Sequence, residues 1–178
     1  GKRRAVDRPG PQGRDPRLLF KTGAAVDLML GLDEAAVPGR PQPVAGDLRL
    51  LLAMPNDQPT AVLYRPVAPG ANDGTTFSSP QGSVAFDSVR VVATARIGFQ
   101  RRPGGFALEA AIPLAELGWT IKPKVDLRGD VGVIYGDPEG IRNVHRTYWS
   151  NRNTGLVSDV GNESRLVPSQ WGRIVVEP

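Results

Sequence analysis

Proline and glycine interrupt this chain along its whole length, and no stretch between them is shaped for a long helix. Proline fixes its own φ and lacks a backbone donor, while glycine weakens any regular element that contains it. The 21 Gly and 17 Pro are spread out and do not gather into one low-complexity tract. Such spacing suits many short strands joined by turns.

The segments between the breaks carry a period of two. In Val26-Asp27-Leu28-Met29-Leu30, the side chains of Val26, Leu28 and Leu30 share one face, and Asp27 and Met29 share the other. Residues 47–54 and 60–64 read as two further strands, stopped by Pro55-Asn56-Asp57 and by Pro66, and together they predict a hairpin. The stretch 67–81 reads as a polar loop. A long strand region over 83–100 is expected to break near Asp87-Ser88. Phe106, Leu108, Ala110 and Ile112 alternate in the strand that follows. Pro113 to Leu117 is the one short helix predicted, with Pro113 at its first turn and Gly118 after its end. Strands over 131–135 and 142–149, a long polar loop over 150–168 and a closing strand over 171–176 complete the reading.

About eight strands with at most one short helix predict an all-β fold, a two-layer antiparallel sandwich of jelly-roll or immunoglobulin-like type. A parallel α/β fold would need repeated crossover helices, which the pattern does not supply. Trp171 and Trp119 read as core or capping residues. Residues 1–17 read as a basic, Pro-, Gly- and Arg-rich disordered lead-in, and residues 18–178 as one domain.

The net charge of +4 belongs to that lead-in. Residues 1–17 hold six basic and two acidic side chains, and the remaining 161 residues carry 16 of each. Binding to a nucleic-acid duplex needs positive charge on a folded face, so a nucleic-acid partner is not expected. There is no cysteine, which removes disulfides and thiolate metal sites. No apolar run reaches the roughly 20 residues that cross a bilayer as a helix. The only histidine is His145. The sequence contains no Gly-x-Ser-x-Gly elbow, no P-loop and no dinucleotide glycine fingerprint. The chain therefore reads as a binding domain and not an enzyme.

Recognition of a sugar needs a flat apolar surface for the C–H face of the ring and polar side chains for its hydroxyls. The segment 145–153 holds both kinds. Trp149 or Tyr148 supplies the platform, and Arg146, Asn151 and Asn153 the hydrogen-bonding groups. Tyr148 and Trp149 are neighbours on a strand, so only one of them can face the ligand. Glu109, on the strand face opposite Leu108, is a further hydroxyl-binding candidate. Asp130, Asp137, Asp159 and Glu163, oxygen ligands in loops or at strand ends, are candidates for a structural calcium. Their alternative role is capping of turns.

Several ordered segments resemble the carbohydrate-binding module family 9-like, or DOMON-like, sandwich domains. These are Leu19-Phe20-Lys21-Thr22-Gly23 running into Val26-Asp27-Leu28, Gly46-Asp47-Leu48-Arg49-Leu50, Glu109-Ala110-Ala111-Ile112-Pro113-Leu114 and Leu127-Arg128-Gly129-Asp130-Val131-Gly132. Tyr148-Trp149-Ser150-Asn151 with Thr154-Gly155 follows, and then Asp159, Glu163, Arg165-Leu166, Pro168 and Trp171-Gly172. The resemblance covers roughly residues 13–178. It implies a β-sandwich, an exported bacterial parent protein (periplasmic, cell-surface or extracellular) and a carbohydrate ligand. The upstream Asp-Gly…Glu-Trp-like strands usual in that family are missing, and Ala24 and Met29 stand where relatives carry polar residues. A rival reading is an interaction subunit that docks on a protein partner through its basic tail or an exposed sheet edge. A third is haem b, which some members hold through Met and Lys. Met29, Met54, Lys21, Lys122 and Lys124 are the residues of those types that would have to serve.

Overall fold

The computed structural model describes residues 15–103, 105–122, 125–137, 139, 141–154 and 159–177. Residues 1–14 of the expected lead-in lie outside the described residues. Pro16–Leu18 forms a 3-10 turn capped by Asp15, so regular structure begins slightly earlier than the expected Leu18.

The fold is all-β, antiparallel and sandwich-like. Its largest sheet holds β1 (Ala25–Gly31), β2 (Asp47–Ala53), β3 (Thr60–Arg65), β6 (Ser88–Val91), β9 (Asp126–Gly136), β10 (Asn143–Tyr148) and β11 (Gly172–Val175). Their order is β10-β9-β1-β2-β3-β6, with β11 also on β9. β9 is long enough to serve two partners along one edge. Its first part pairs with β11 and its second with β10. β1 covers its other edge.

Two hairpins stand outside this sheet. In the first, β4 (Thr75–Ser79) lies in what reads as polar loop, because hydroxyl residues flank Phe77 and mask the period of two, while its partner β5 (Gly82–Phe86) opens the expected strand region. The second, β7 (Arg96–Arg102) with β8 (Gly105–Ala111), realises the predicted strands, and the chain breaks at Asp87 as expected. The short helix α1 (Leu114–Leu117) ends on Gly118 in the left-handed region, at φ 60°. A second helical turn, α2 (Val160–Ser164), interrupts the expected C-terminal loop and is capped by Asp159.

Both faces of the large sheet are covered over its central strands, and this explains β2. Its sequence, Asp-Leu-Arg-Leu-Leu-Leu-Ala, is apolar on both sides, as a strand buried on both faces requires, and every residue of it is buried. The first face carries Met29, Leu51, Val62, Tyr64, Ile134 and Tyr148, under Phe20, Phe77, Phe86, Leu166 and Trp171. Phe20, Tyr64, Phe77 and Phe86 meet mostly edge to face, with centroids 5.1–6.3 Å apart. Each such pair adds about 1 kcal/mol beyond the area it buries. The second face carries Leu30, Leu48, Leu50, Leu52 and Leu63, under Ile97, Leu108, Ile112, Leu117 and Trp119. Trp171 and Trp119 take the core roles expected of them.

Candidate functional site

Two arrangements stand out, one sealed in the core and one open. The sealed one is an ionic network on the first face. Alternation places Asp27 of β1 and Arg49 of β2 there, and both are fully buried. Arg49 Nε and Nη2 donate to the Asp27 carboxylate at 2.7–3.2 Å, and Nη1 donates to the carbonyls of Glu163 and Ser164 at 2.9 and 3.0 Å. The guanidinium also lies over the rings of Phe20 and Tyr64. Burial alone would pull the Arg49 pKa down, but the charge of Asp27, the hydrogen bonds to it and the nearby Tyr148 and Tyr64 together outweigh that and hold the group above its ordinary range. Tyr148 donates its hydroxyl to Asp27. Burial, and then the Asp27 charge, push that phenol well above the usual tyrosine range, so it remains a donor.

The same network pins α2. Glu163 Oε1 accepts from Lys21 Nζ at 2.8 Å, and Oε2 accepts from Asn143 at 2.9 Å and lies 2.6 Å from Arg146 Nη2. Charged groups this deep are tolerated because each meets an opposite charge, and Asp27, Arg49 and Glu163 make further hydrogen bonds as well. The network ties the C-terminal segment to β1, β2 and β10. Asp27, Arg49, Glu163 and Tyr148 at its centre are buried, so it serves as an anchor.

The open arrangement is a groove of about 610 Å³ at one end of the large sheet. Ala24, Ala25 and Val26 at the start of β1, Leu52 and Ala53 at the end of β2, Thr60 and Gly136 form its floor and sides. The tip of the β7–β8 hairpin overhangs it. Register there sets Arg101 opposite Phe106 and Phe99 opposite Leu108, all on the inward side of the hairpin. Phe99 and Phe106 stack at 5.4 Å and 24° across the ladder, and both are half-buried. Arg101 lies 5.9 Å from the Phe99 ring centre and pairs with Asp57 at 2.9 Å. Asp57 follows Pro55 in a 3-10 turn and has φ 59°, the one positive φ of a non-glycine among the described residues. Such backbone outliers cost energy and cluster at functional sites. Asp15, Gln58, Asp137 and Glu139 add polar groups to the lining. The volume falls within the range of small-molecule sites, and the mix of apolar walls with a few polar groups is their usual composition.

The residues picked from the sequence divide between core and surface. Tyr148 and Arg146 face the core, both below a tenth exposed, and are occupied in the ionic network instead of a ligand rim. The alternation that separates Tyr148 from Trp149 leaves Trp149 half-exposed on the second face. The ring lies over Gly172, where any Cβ would fall 2.5–2.6 Å from two of its carbons. Asn151 donates its amide to Asp130, and its side chain accepts from the Asn153 amide, so both shape the turn after β10. Glu109 is exposed on the outer side of the β7–β8 hairpin, away from the groove.

The aspartate candidates for calcium are separate from one another, and each caps backbone. Asp130 accepts from the amides of Val131, Ser150 and Asn151. Asp137 accepts from Ile141 and Arg142. Asp159 is held below the usual carboxylate range by the Ser79 hydroxyl and by the capped amides of Gly161 and Asn162. Among the described residues, no group of three or more His, Cys, Asp or Glu is placed to hold a metal ion. Of the Met and Lys candidates for haem, Met54 lines the groove, Met29 is buried in the core, Lys21 pairs with Glu163, and Lys122 pairs with Glu34 at the surface. Lys124 lies outside the described residues. No helix among the described residues is long and apolar enough to cross a membrane.

No protein-family model, curated protein or solved structure matches this chain.

The sequence reading misses the groove. Its residues come from five separated segments, and Phe99 and Phe106 meet only through hairpin register. A signal was present: two phenylalanines flanking the Arg101-Arg102-Pro103-Gly104-Gly105 turn mark a hairpin tip with rings on one side.

Proposed function

We propose that the chain is a non-catalytic carbohydrate-binding module of a larger exported protein, and that its ligand lies in the groove beneath the β7–β8 tip. The observation that carries the reading is the stacked Phe99–Phe106 pair facing a cavity whose other walls bear Gln58, Asp57, Asp137 and Glu139. A half-buried ring offers a pyranose the apolar surface that its C–H face needs, and carboxylates and an amide accept and donate to its hydroxyls. None of Asp27, Arg49, Tyr148 and Glu163 is in the groove lining, so a ligand there would leave the ionic network undisturbed. Ala24 borders the groove, so the lack of a polar side chain at that position removes one hydroxyl contact from its rim. Met29 is buried in the core and has no bearing on the groove.

Calorimetric titration with neutral mono- and oligosaccharides tests the reading. The wild type is expected to bind at least one of them, and Phe106→Ala to weaken that binding by about tenfold, the loss of one stacking contact. Glu109→Ala, on the outer side of the same hairpin, is expected to leave affinity unchanged. Equal affinity for wild type and Phe106→Ala would place the sugar elsewhere, and failure of every sugar to bind would remove the reading.

A further inference from the structure

The second face of the sheet is not covered uniformly. The β7–β8 hairpin and α1 lie over the middle strands, while β9 and β10 keep an open face. Val131, Val133 and Tyr135 of β9 and His145, Thr147 and Trp149 of β10 and its exit share that face, by the register that opposes Tyr135 to His145 and Val133 to Thr147. Tyr135 is 45% exposed and Trp149 49%. The Tyr135 and His145 rings lie 5.7 Å apart, and the Thr147 hydroxyl is 3.1 Å from His145 Nε2. The face is a flat strip with an aromatic ring toward each end and polar groups between them. Among these described residues there is no carboxylate, lysine or arginine.

The strip runs into the groove. Val26, in the groove lining, pairs with Val133, which pairs with Thr147, and Gly136, also in the lining, follows Tyr135 directly. Four residues of strand separate the level of Tyr135 from that of Trp149, about 13 Å, a span that one pyranose ring does not bridge.

Building on the groove reading above, we infer that the ligand is an extended glycan chain, with one end in the groove and the following sugars laid along the β9–β10 face from Tyr135 to Trp149. Uncharged polar groups between two platforms suit a neutral polysaccharide, whose rings present C–H faces at intervals and hydroxyls along the edges. A single sugar would use the groove alone.

The test is a calorimetric length series of β-1,4-linked glucose, xylose and N-acetylglucosamine oligosaccharides, from one to six units, on the wild type and on Tyr135→Ala and Trp149→Ala. In a series that binds, wild-type affinity is expected to rise about tenfold or more between two units and six. Each variant is expected to lose most of that rise and to keep its affinity for the one- and two-unit sugars within about twofold. Tyr135→Ala removes an exposed ring and serves where Trp149→Ala, which uncovers Gly172, fails to fold. Affinity that does not depend on length, or variants that bind the six-unit sugar as the wild type does, would overturn the extended-chain inference while leaving the groove reading in place. Absence of binding by every oligosaccharide, with the wild type folded, would overturn both.

Discussion

Arg49→Met is expected to lower the thermal unfolding midpoint by on the order of 10 °C, measured by circular dichroism at neutral pH. The substitution fills much of the volume but leaves Asp27 charged, fully buried and without its cation, and leaves the carbonyls of Glu163 and Ser164 without their donor. Breaking a buried ion pair from one side costs about 3–5 kcal/mol. Replacing both partners removes the stranded charge as well. Arg49→Met combined with Asp27→Leu is therefore expected to recover a large part of the loss, because apolar side chains of similar volume pack in place of the pair. Tyr148 would then lack its acceptor, so recovery is not expected to be complete. If the single and double variants melt together, the pair does not anchor the C-terminal segment.

Gly132→Ala is expected to destabilise the fold by about 3 kcal/mol, the upper part of the range for overpacking a filled site. Gly132 lies opposite Tyr148 in the β9–β10 register and opposite Asp27 in β1. A Cβ there would stand 2.5 Å from the Thr147 carbonyl oxygen and press into the Tyr148 ring. The carbonyl belongs to the backbone of β10 and cannot turn aside, so the edge strand itself must move. That movement pulls the Tyr148 hydroxyl off Asp27, and β10 is expected to lose amide hydrogen-exchange protection before the rest of the sheet. Chemical denaturation gives the size of the effect, and exchange mapping gives its location. A variant as stable as the wild type, with β10 fully protected, would contradict the packing assigned to this glycine.

These two variants also mark where the sequence was legible and where it was not. The alternation in Val26–Leu30 correctly separates the faces of β1, and it separates Tyr148 from Trp149. It does not reveal that both faces are buried. Asp27 and Arg49 each look like the solvent side of a half-buried strand, since charges are usually outside. The clue lay in β2, where Leu48, Leu50 and Leu52 line one face while Leu51 and Ala53 flank the other beside Arg49. A strand that is apolar on both sides is internal to the fold, and a charge on it must have a partner. Strand β4, and with it the β4–β5 pairing, and α2 escaped notice because Thr, Ser, Asn and Gly give neither a clear period nor a strong propensity. Both elements are held by tertiary contacts, Phe77 and Phe86 in the core and the Asp159 cap and Glu163 pairs on α2.

The aromatic-amide stretch near Trp149 drew attention because aromatic and amide residues stand together in the sequence. In three dimensions half of that stretch supports the core, and Trp149 remains at the surface. Apart from the Phe99 and Phe106 pair at the hairpin tip, the groove is assembled from residues that no local pattern groups. The carbohydrate site we propose therefore lies not in one contiguous segment but on a surface shared by the β7–β8 tip, the strand ends and the β9–β10 face.

The most direct measurement is a ¹H–¹⁵N titration of the isotopically labelled protein with whichever oligosaccharide binds by calorimetry. Amide shifts are expected to concentrate at Gln58, Phe99, Arg101 and Phe106 around the cavity. The interior amides of Asp27 and Arg49 should stay fixed. Shifts confined to the β4–β5 hairpin or to the outer side of β7–β8 around Glu109, with the cavity residues unmoved, would contradict the location assigned to the ligand.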